Sequence, residues 1–290
     1  MPIYKINTRI SKIDSCSLEK EDFKSLFILL KKKVKEALEY ELSESQFIKQ
    51  SPKEKREEIK ENIKNLLKLS VHVFGTKGEF LSTTDEVKIF DDDAFPNKIN
   101  QIIFDSSYYY KQGTSQEPMN KLIIQFDFKK QNILYFSNPI TDPVQNESSI
   151  TVAGSKDTWV NGVHTEILSF LKEKKKNRNW LHKKHIYDLF LYLFFYPIVF
   201  WCIYRVSSLL NEKVNIIFLI AICLYIFTFL LFILRILFNY TRWIFPLLEF
   251  IPKSATKMRR HRNVLTVLLI GIIGAFIYDL IKFILRQFGN

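Results

Sequence analysis

The chain has 290 residues, with 42 Lys and Arg against 30 Asp and Glu, a formal charge of +12. Apolar residues make up 47%, with 26 Phe against 8 Gly, which excludes intrinsic disorder because such a chain can bury ample apolar surface. Cys16, Cys202 and Cys223 are too few for a disulfide scaffold, and no Cys/His cluster has zinc spacing, so no metal site is expected.

Residues 1–171 read as one α+β domain, an antiparallel sheet with flanking helices. The first helix is expected over 18–42, with Ser17 as N-cap and Phe23, Leu26, Phe27, Leu30, Val34, Ala37 and Leu38 as its apolar stripe. A capping box at Ser51-Pro52-Lys53-Glu54 opens a second helix to about Leu67. The period then becomes two. Segments 69–74, 79–83 and 87–90 predict strands, 98–104 a fourth, 121–128 with 133–137 a hairpin, and 149–153 a closing strand. A third helix follows over about 156–176, with Trp159, Val160, Val163, Ile167, Phe170 and Leu171 on its apolar face.

Beyond Ile186 the composition changes. Uncharged runs at 189–204, 214–234 and 263–278 approach the ~20 residues that cross a bilayer, and they are apolar all round rather than on one face. They predict an all-α membrane domain of three transmembrane helices over 186–290, with Pro197 interrupting the first. The N-terminus MPIYKINTRI has no apolar signal-peptide region.

Charge supports this layout. Residues 1–171 hold 24 basic against 25 acidic side chains, whereas 172–185 and 235–262 each hold seven basic against one acidic. The excess therefore flanks the apolar runs instead of covering a nucleic-acid-binding face. The positive-inside rule puts the N-terminal domain and the 235–262 loop in the cytoplasm and the C-terminus outside, in an inner membrane. Residues 172–185 read as a basic stalk contacting anionic lipid and passing motion to the first span; the stretch Leu237–Met258 reads as an interfacial elbow or re-entrant segment rather than a spanning one.

Catalytic motifs are missing: there is no Walker loop, GxGxxG, HExxH or GxSxG, and His164-x-Glu166 lacks the PCxxC half of a deaminase signature. No enzyme, catalytic residue or cofactor is expected. Asp91-Asp92-Asp93 reads as a solvated loop. The candidate ligand residues are Tyr108, Tyr109, Tyr110, Lys111, Lys129, Lys130 and Trp159, rings and cations of the sort that stack and pair with nucleotides. Candidate pore or packing residues are Asn215, Thr228, Asn239 and Thr266, with Gly271 and Gly274 allowing close helix approach.

A near-neutral cytosolic domain, the basic stalk and spans 189–204, 214–234 and 263–278 resemble the membrane effectors of bacterial antiphage systems, the Hailong-type channel effector above all. The resemblance is one of arrangement and carries over no residue. It implies a homo-oligomer, a tetramer by preference, forming an ion channel gated by a nucleotide or oligonucleotide that a partner enzyme makes. The alternative is a membrane-tethered scaffold or adaptor whose cytosolic domain binds protein.

Overall fold

The computed structural model describes residues 6–44, 48–49, 51–130, 132–134, 146–210, 215–252 and 256–288. They divide into two units, Met1–Pro252 and Lys253–Asn290.

The first unit is built on a six-stranded antiparallel sheet of β1 (Asn7–Lys12), β3 (Ser70–Gly75), β4 (Phe80–Thr84), β5 (Ile99–Asp105), β6 (Asn120–Asp127) and β7 (Ser149–Gly154). Their order is β1-β7-β6-β5-β3-β4. Alternation sorts the side chains: Val71, Val73, Ile102, Phe104, Leu122, Ile124, Phe126, Ile150 and Val152 are all fully buried on one face. On that face lie α1 (Lys20–Glu44) and α4 (Asp157–Glu173), contributing Phe23, Leu26, Phe27 and Leu30 from the first and Val160, Val163 and Ile167 from the second. The opposite face, with Gln101, Ile103, Ile123, Gln125 and Thr151, is partly open. Two further helices, α2 (Arg56–Leu66) and α3 (Tyr108–Thr114), form a satellite core around Ile63, Leu67 and Tyr110.

Several expected elements differ. Residues Cys16–Glu19 form a strand, β2, so the helix starts later than its apolar period suggests. Asp22 Oδ2, rather than Ser17, satisfies the entry by accepting from Glu19 N at 2.8 Å. Residues Val87–Phe90 form a 3-10 turn that buries both Ile89 and Phe90, because Asp85, at φ +61°, turns the chain out of β4. β1 escapes the apolar pattern: NTRISK is a polar edge strand held by β7. The 133–137 half of the expected hairpin is not seen as a strand at Ile133 and Leu134, which form a turn; 135–137 lie outside the described residues. In the β3–β4 turn, Gly78 takes φ +86°, a conformation that suits glycine.

After a 3-10 turn at Asn179–His182 come α5 (Ile186–Phe190), a π turn (Leu191–Phe195), α6 (Tyr196–Leu210) and α7 (Ile216–Ile244). The π turn ends two residues before Pro197, which has no N–H to offer the Leu193 carbonyl. Among the described residues, two helices are long and apolar enough to cross a membrane, Ile186–Ser208 and Ile216–Ile244. The third expected run, 263–278, does not join them; it belongs to α8 (Thr256–Phe288), which makes up most of the second unit and whose side chains are described in part.

Phe23 is the centre of the main core. Its ring lies 5.6–6.4 Å from those of Phe90, Phe104, Phe126, Phe128 and Phe250. Phe23→Ala is expected to cost about 3–5 kcal/mol, read as a lowered denaturation midpoint of the full chain in detergent. Phe80→Ala, on the open face, is expected to stay within about 0.5 kcal/mol.

Candidate functional site

The sequence LEFI, separated from α7 by three residues, forms β8 (Leu248–Ile251), the parallel partner of β2, in register from Cys16↔Leu248 to Glu19↔Ile251. The stretch expected as an interfacial elbow or re-entrant segment thus contains a strand of the first unit. Leu248 and Phe250 face the sheet domain's core, where Phe250 also meets Phe95 and Phe128. Those apolar side chains pack against that core, and the strand's backbone groups find partners in β2.

Alternation turns Glu249 away from Phe250 and towards the stalk. Its Oε2 accepts from Arg178 Nη1 at 2.7 Å and from Ser17 Oγ at 3.4 Å, with the carboxylate almost fully buried. One 3-10 turn later, His182 Nε2 donates to the Phe245 carbonyl at 2.7 Å, since a carbonyl only accepts and so fixes the tautomer. Arg242 is 2% exposed; its Nε donates to Leu181 O at 3.2 Å and its guanidinium lies 4.7 Å over the Phe238 ring. Nearer the sheet, Lys174 and Lys175 pair with Asp22 and Asp14, both at 2.8 Å. The stalk is therefore clamped along its length, with Lys174, Lys175 and Arg178 holding protein carboxylates. Burial pushes the His182 imidazole down to about 4, against the carbonyl hydrogen bond and assisted by Arg242 and Arg178.

A second arrangement lies on the open sheet face at the β3–β4 edge. His72 stacks on Phe80 at 6.2 Å and meets Tyr108 edge-on at 4.5 Å; Phe80 meets Phe74 at 5.1 Å, and Tyr108 meets Tyr109 at 5.0 Å. Ser82 Oγ lies 2.9 Å from His72 Nδ1, while Nε2 is buried without a partner among the described residues. Phe80 is 58% and Tyr108 38% exposed, so aromatic surface is presented to solvent. Such surface can stack a planar ring.

No family model, curated protein or solved structure matches this chain.

The candidate ligand residues are not brought together. Tyr108 and Tyr109 open α3 beside the aromatic face, but Tyr110 is buried, its hydroxyl donating to Glu41 Oε1 at 3.4 Å. Burial raises both that hydroxyl and the Glu41 carboxyl, which also accepts from Met119 N at 2.8 Å. Lys111 is paired with Glu117 at 2.6 Å. Lys129 and Lys130 follow the far end of β6, where Lys130 Nζ sits 5.2 Å from the Trp243 ring. Trp159 packs on the core. His72, Phe74 and Phe80 were missed, although the alternation of LSVHVF already sets His72 and Phe74 opposite Val71 and Val73.

Of the candidate polar residues on the apolar helices, Asn215, Thr228 and Thr266 bond within their own helices. Asn215 caps α7 by accepting from Ile217 N at 3.0 Å, and Thr228 donates back to Leu224 O. Asn239 is buried, donating to Ile133 O at 3.1 Å, so it anchors the loop after β6. Thr266 donates to Arg262 O at 2.9 Å. A Cβ built on Gly271 or Gly274 would meet nothing within 4 Å. Among the described residues no His/Cys/Asp/Glu group is placed to hold a metal.

Two outcomes follow for the clamp. Arg178→Ala is expected to destabilise by about 3 kcal/mol, because it strands a buried carboxylate, whereas Arg178→Met with Glu249→Leu recovers most of the loss; a double-mutant cycle on unfolding midpoints reads the coupling. For His182, the unfolded imidazole titrates near 6.5 and the folded one near 4. The unfolded state thus binds the extra proton between those limits, and this stability is present above about pH 6.5 and lost as pH falls towards 4. The loss reaches about 3 kcal/mol at most, and His182→Gln should remove that part of the pH slope of the melting temperature.

Proposed function

We propose that the protein is an oligomeric membrane effector, an ion channel or pore whose opening is set by a cytosolic ligand such as a nucleotide or oligonucleotide, in the manner of antiphage effectors. Its anchor comprises the runs 189–204, 214–234 and 263–278, with the N-terminal domain in the cytoplasm, the C-terminus outside and no catalytic step of its own. The observation that carries this reading is the β2–β8 pairing. It ties the sheet domain to a strand separated by only three residues from a 29-residue apolar helix, so a displacement of one acts on the other through a short connection. The aromatic face supplies stacking surface for bases, each worth about 1–3 kcal/mol. Three short spans enclose little space, so a conducting path requires several copies about an axis.

The adaptor reading is favoured by a different feature, the edge strand β1, on which Ile10 is 69% exposed and free to meet another protein. It predicts no conductance.

The deciding experiment is ion flux through liposomes holding the purified full chain, with and without short DNA or RNA oligonucleotides. We expect flux that changes on oligonucleotide addition, and a dose-response shifted about tenfold in Phe80→Ala and in Tyr108→Ala. A stable monomer in mild detergent that passes no ions would overturn the channel and leave the adaptor.

A further inference from the structure

A half-open groove of about 330 Å³ runs between the β1–β2 connection and the C-terminal half of α4. Its floor is aliphatic, formed by Ile13, Leu168 and Leu171 beside the Cys16 thiol. Burial, with Asp14 and Asp22 nearby, pushes that thiol up to about 12, so it serves as apolar surface and not as a nucleophile. The rim is cationic. Lys12, Lys172 and Lys175 line it; Asp14 engages Lys175, and among the described residues neither Lys12 nor Lys172 has an ion-pair partner. Ser15 Oγ, fully buried and without a hydrogen-bond partner among the described residues, belongs to the same wall.

An aliphatic floor under a basic rim is complementary to an amphiphile with an anionic head. No aromatic ring lines the groove, which disfavours a nucleobase and favours an alkyl chain. Position points the same way. Cys16 on the groove pairs with Leu248, four residues beyond the end of α7, and Lys176 N donates to Ser15 O at 2.9 Å, tying the groove to the clamped stalk. We propose that this groove binds an anionic phospholipid, its phosphate held between Lys12 and Lys172 and an acyl chain laid on Leu168 and Leu171. The ligand would brace α4 against β2 where the stalk begins, making the clamp sensitive to lipid composition. The shared chemistry with a free phosphate is the anion; the apolar floor commits the site to lipid.

This inference rests on the membrane-anchored part of the proposed function and not on conduction. It is tested by titrating the full chain in non-ionic detergent with short-chain phosphatidylglycerol, short-chain phosphatidylcholine and inorganic phosphate, by calorimetry. Phosphatidylglycerol should bind well ahead of the other two. Lys12→Gln and Lys172→Gln, both at exposed positions, should each weaken it about fivefold. Leu168→Trp, which fills the groove from a position 37% exposed, should abolish it, and Lys64→Gln on α2 should leave it unchanged. Equal binding of phosphatidylcholine, phosphate binding indifferent to Leu168→Trp, or equal loss in Lys64→Gln would each overturn the assignment. Carbonate extraction of expressing cells separates the two readings. Release of the chain defeats membrane anchoring, whereas a retained chain that ignores phosphatidylglycerol defeats the groove alone.

Discussion

The first unit depends on one short pairing, four residues of β2 against four of β8, separated by more than 200 positions in the chain. Closing so long a loop is entropically unfavourable, and four ladder pairs offset little of it. Burial makes up the difference. Leu18 is fully buried, Leu248 nearly so, and Phe250 joins the ring cluster around Phe23. The core of the sheet domain is thus completed by a side chain from beyond both long apolar helices, and the domain cannot reach its native packing until that segment returns.

Such a short ladder is exposed to slippage, and alternation shows what resists it. Moving β8 by one residue would turn Phe250 out of the core and drive Glu249 into it, exchanging a favourable burial for an unpaired charge. Arg178 fixes the register from the other side by accepting only the arrangement in which Glu249 faces the stalk. The pair need not add net stability relative to an apolar replacement; its contribution lies in excluding alternatives. Arg242 and His182 act alike one turn further on. Each is buried, and each directs a donor to the carbonyl of a residue on the other segment, Leu181 for the first and Phe245 for the second.

These relations explain what was legible in the sequence. The sheet, α1 and α4 were readable because their apolar residues repeat at 2 and near 3.6 positions and the structure uses those faces as its core. β1 was invisible because a polar edge strand carries no apolar period. The VKIF segment misled because apolar residues bracketing a lysine resemble alternation, whereas Asp85 had already turned the chain. β2 and β8 were unreadable for a deeper reason: each is defined by a partner distant in sequence, and LEFI among basic residues resembles a bilayer surface segment. Of the candidate site, the tyrosine run was visible but the fates of its members were not. Tyr108 meets His72 on the open face, while Tyr110 turns inward because buried Glu41 needs a donor. The +12 charge was legible as two blocks. That Lys174, Lys175 and Arg178 in the first of them bind carboxylates of the chain itself was not.

The clamp sets a scale for any signal that passes through it. Ring contacts join Tyr108 to His72 on the open face, and Phe104 to Phe23 and Phe250 on the core face; the backbone of β3 and β5, where His72 lies opposite Ile103 and Val71 opposite Phe104, separates the two sets. If the paired and unpaired forms of β2–β8 are the two states of the proposed effector, a ligand must favour one by about 5.5 kcal/mol to move it from 1:99 to 99:1. A single base stacked on the aromatic face supplies about 1–3 kcal/mol, and only the part that differs between states counts. One mononucleotide on one subunit is therefore too weak a signal. Two or more stacked bases, or one on each of several coupled subunits, reach the required range, so the energetics favour an oligonucleotide or an oligomer over a mononucleotide acting on a single chain.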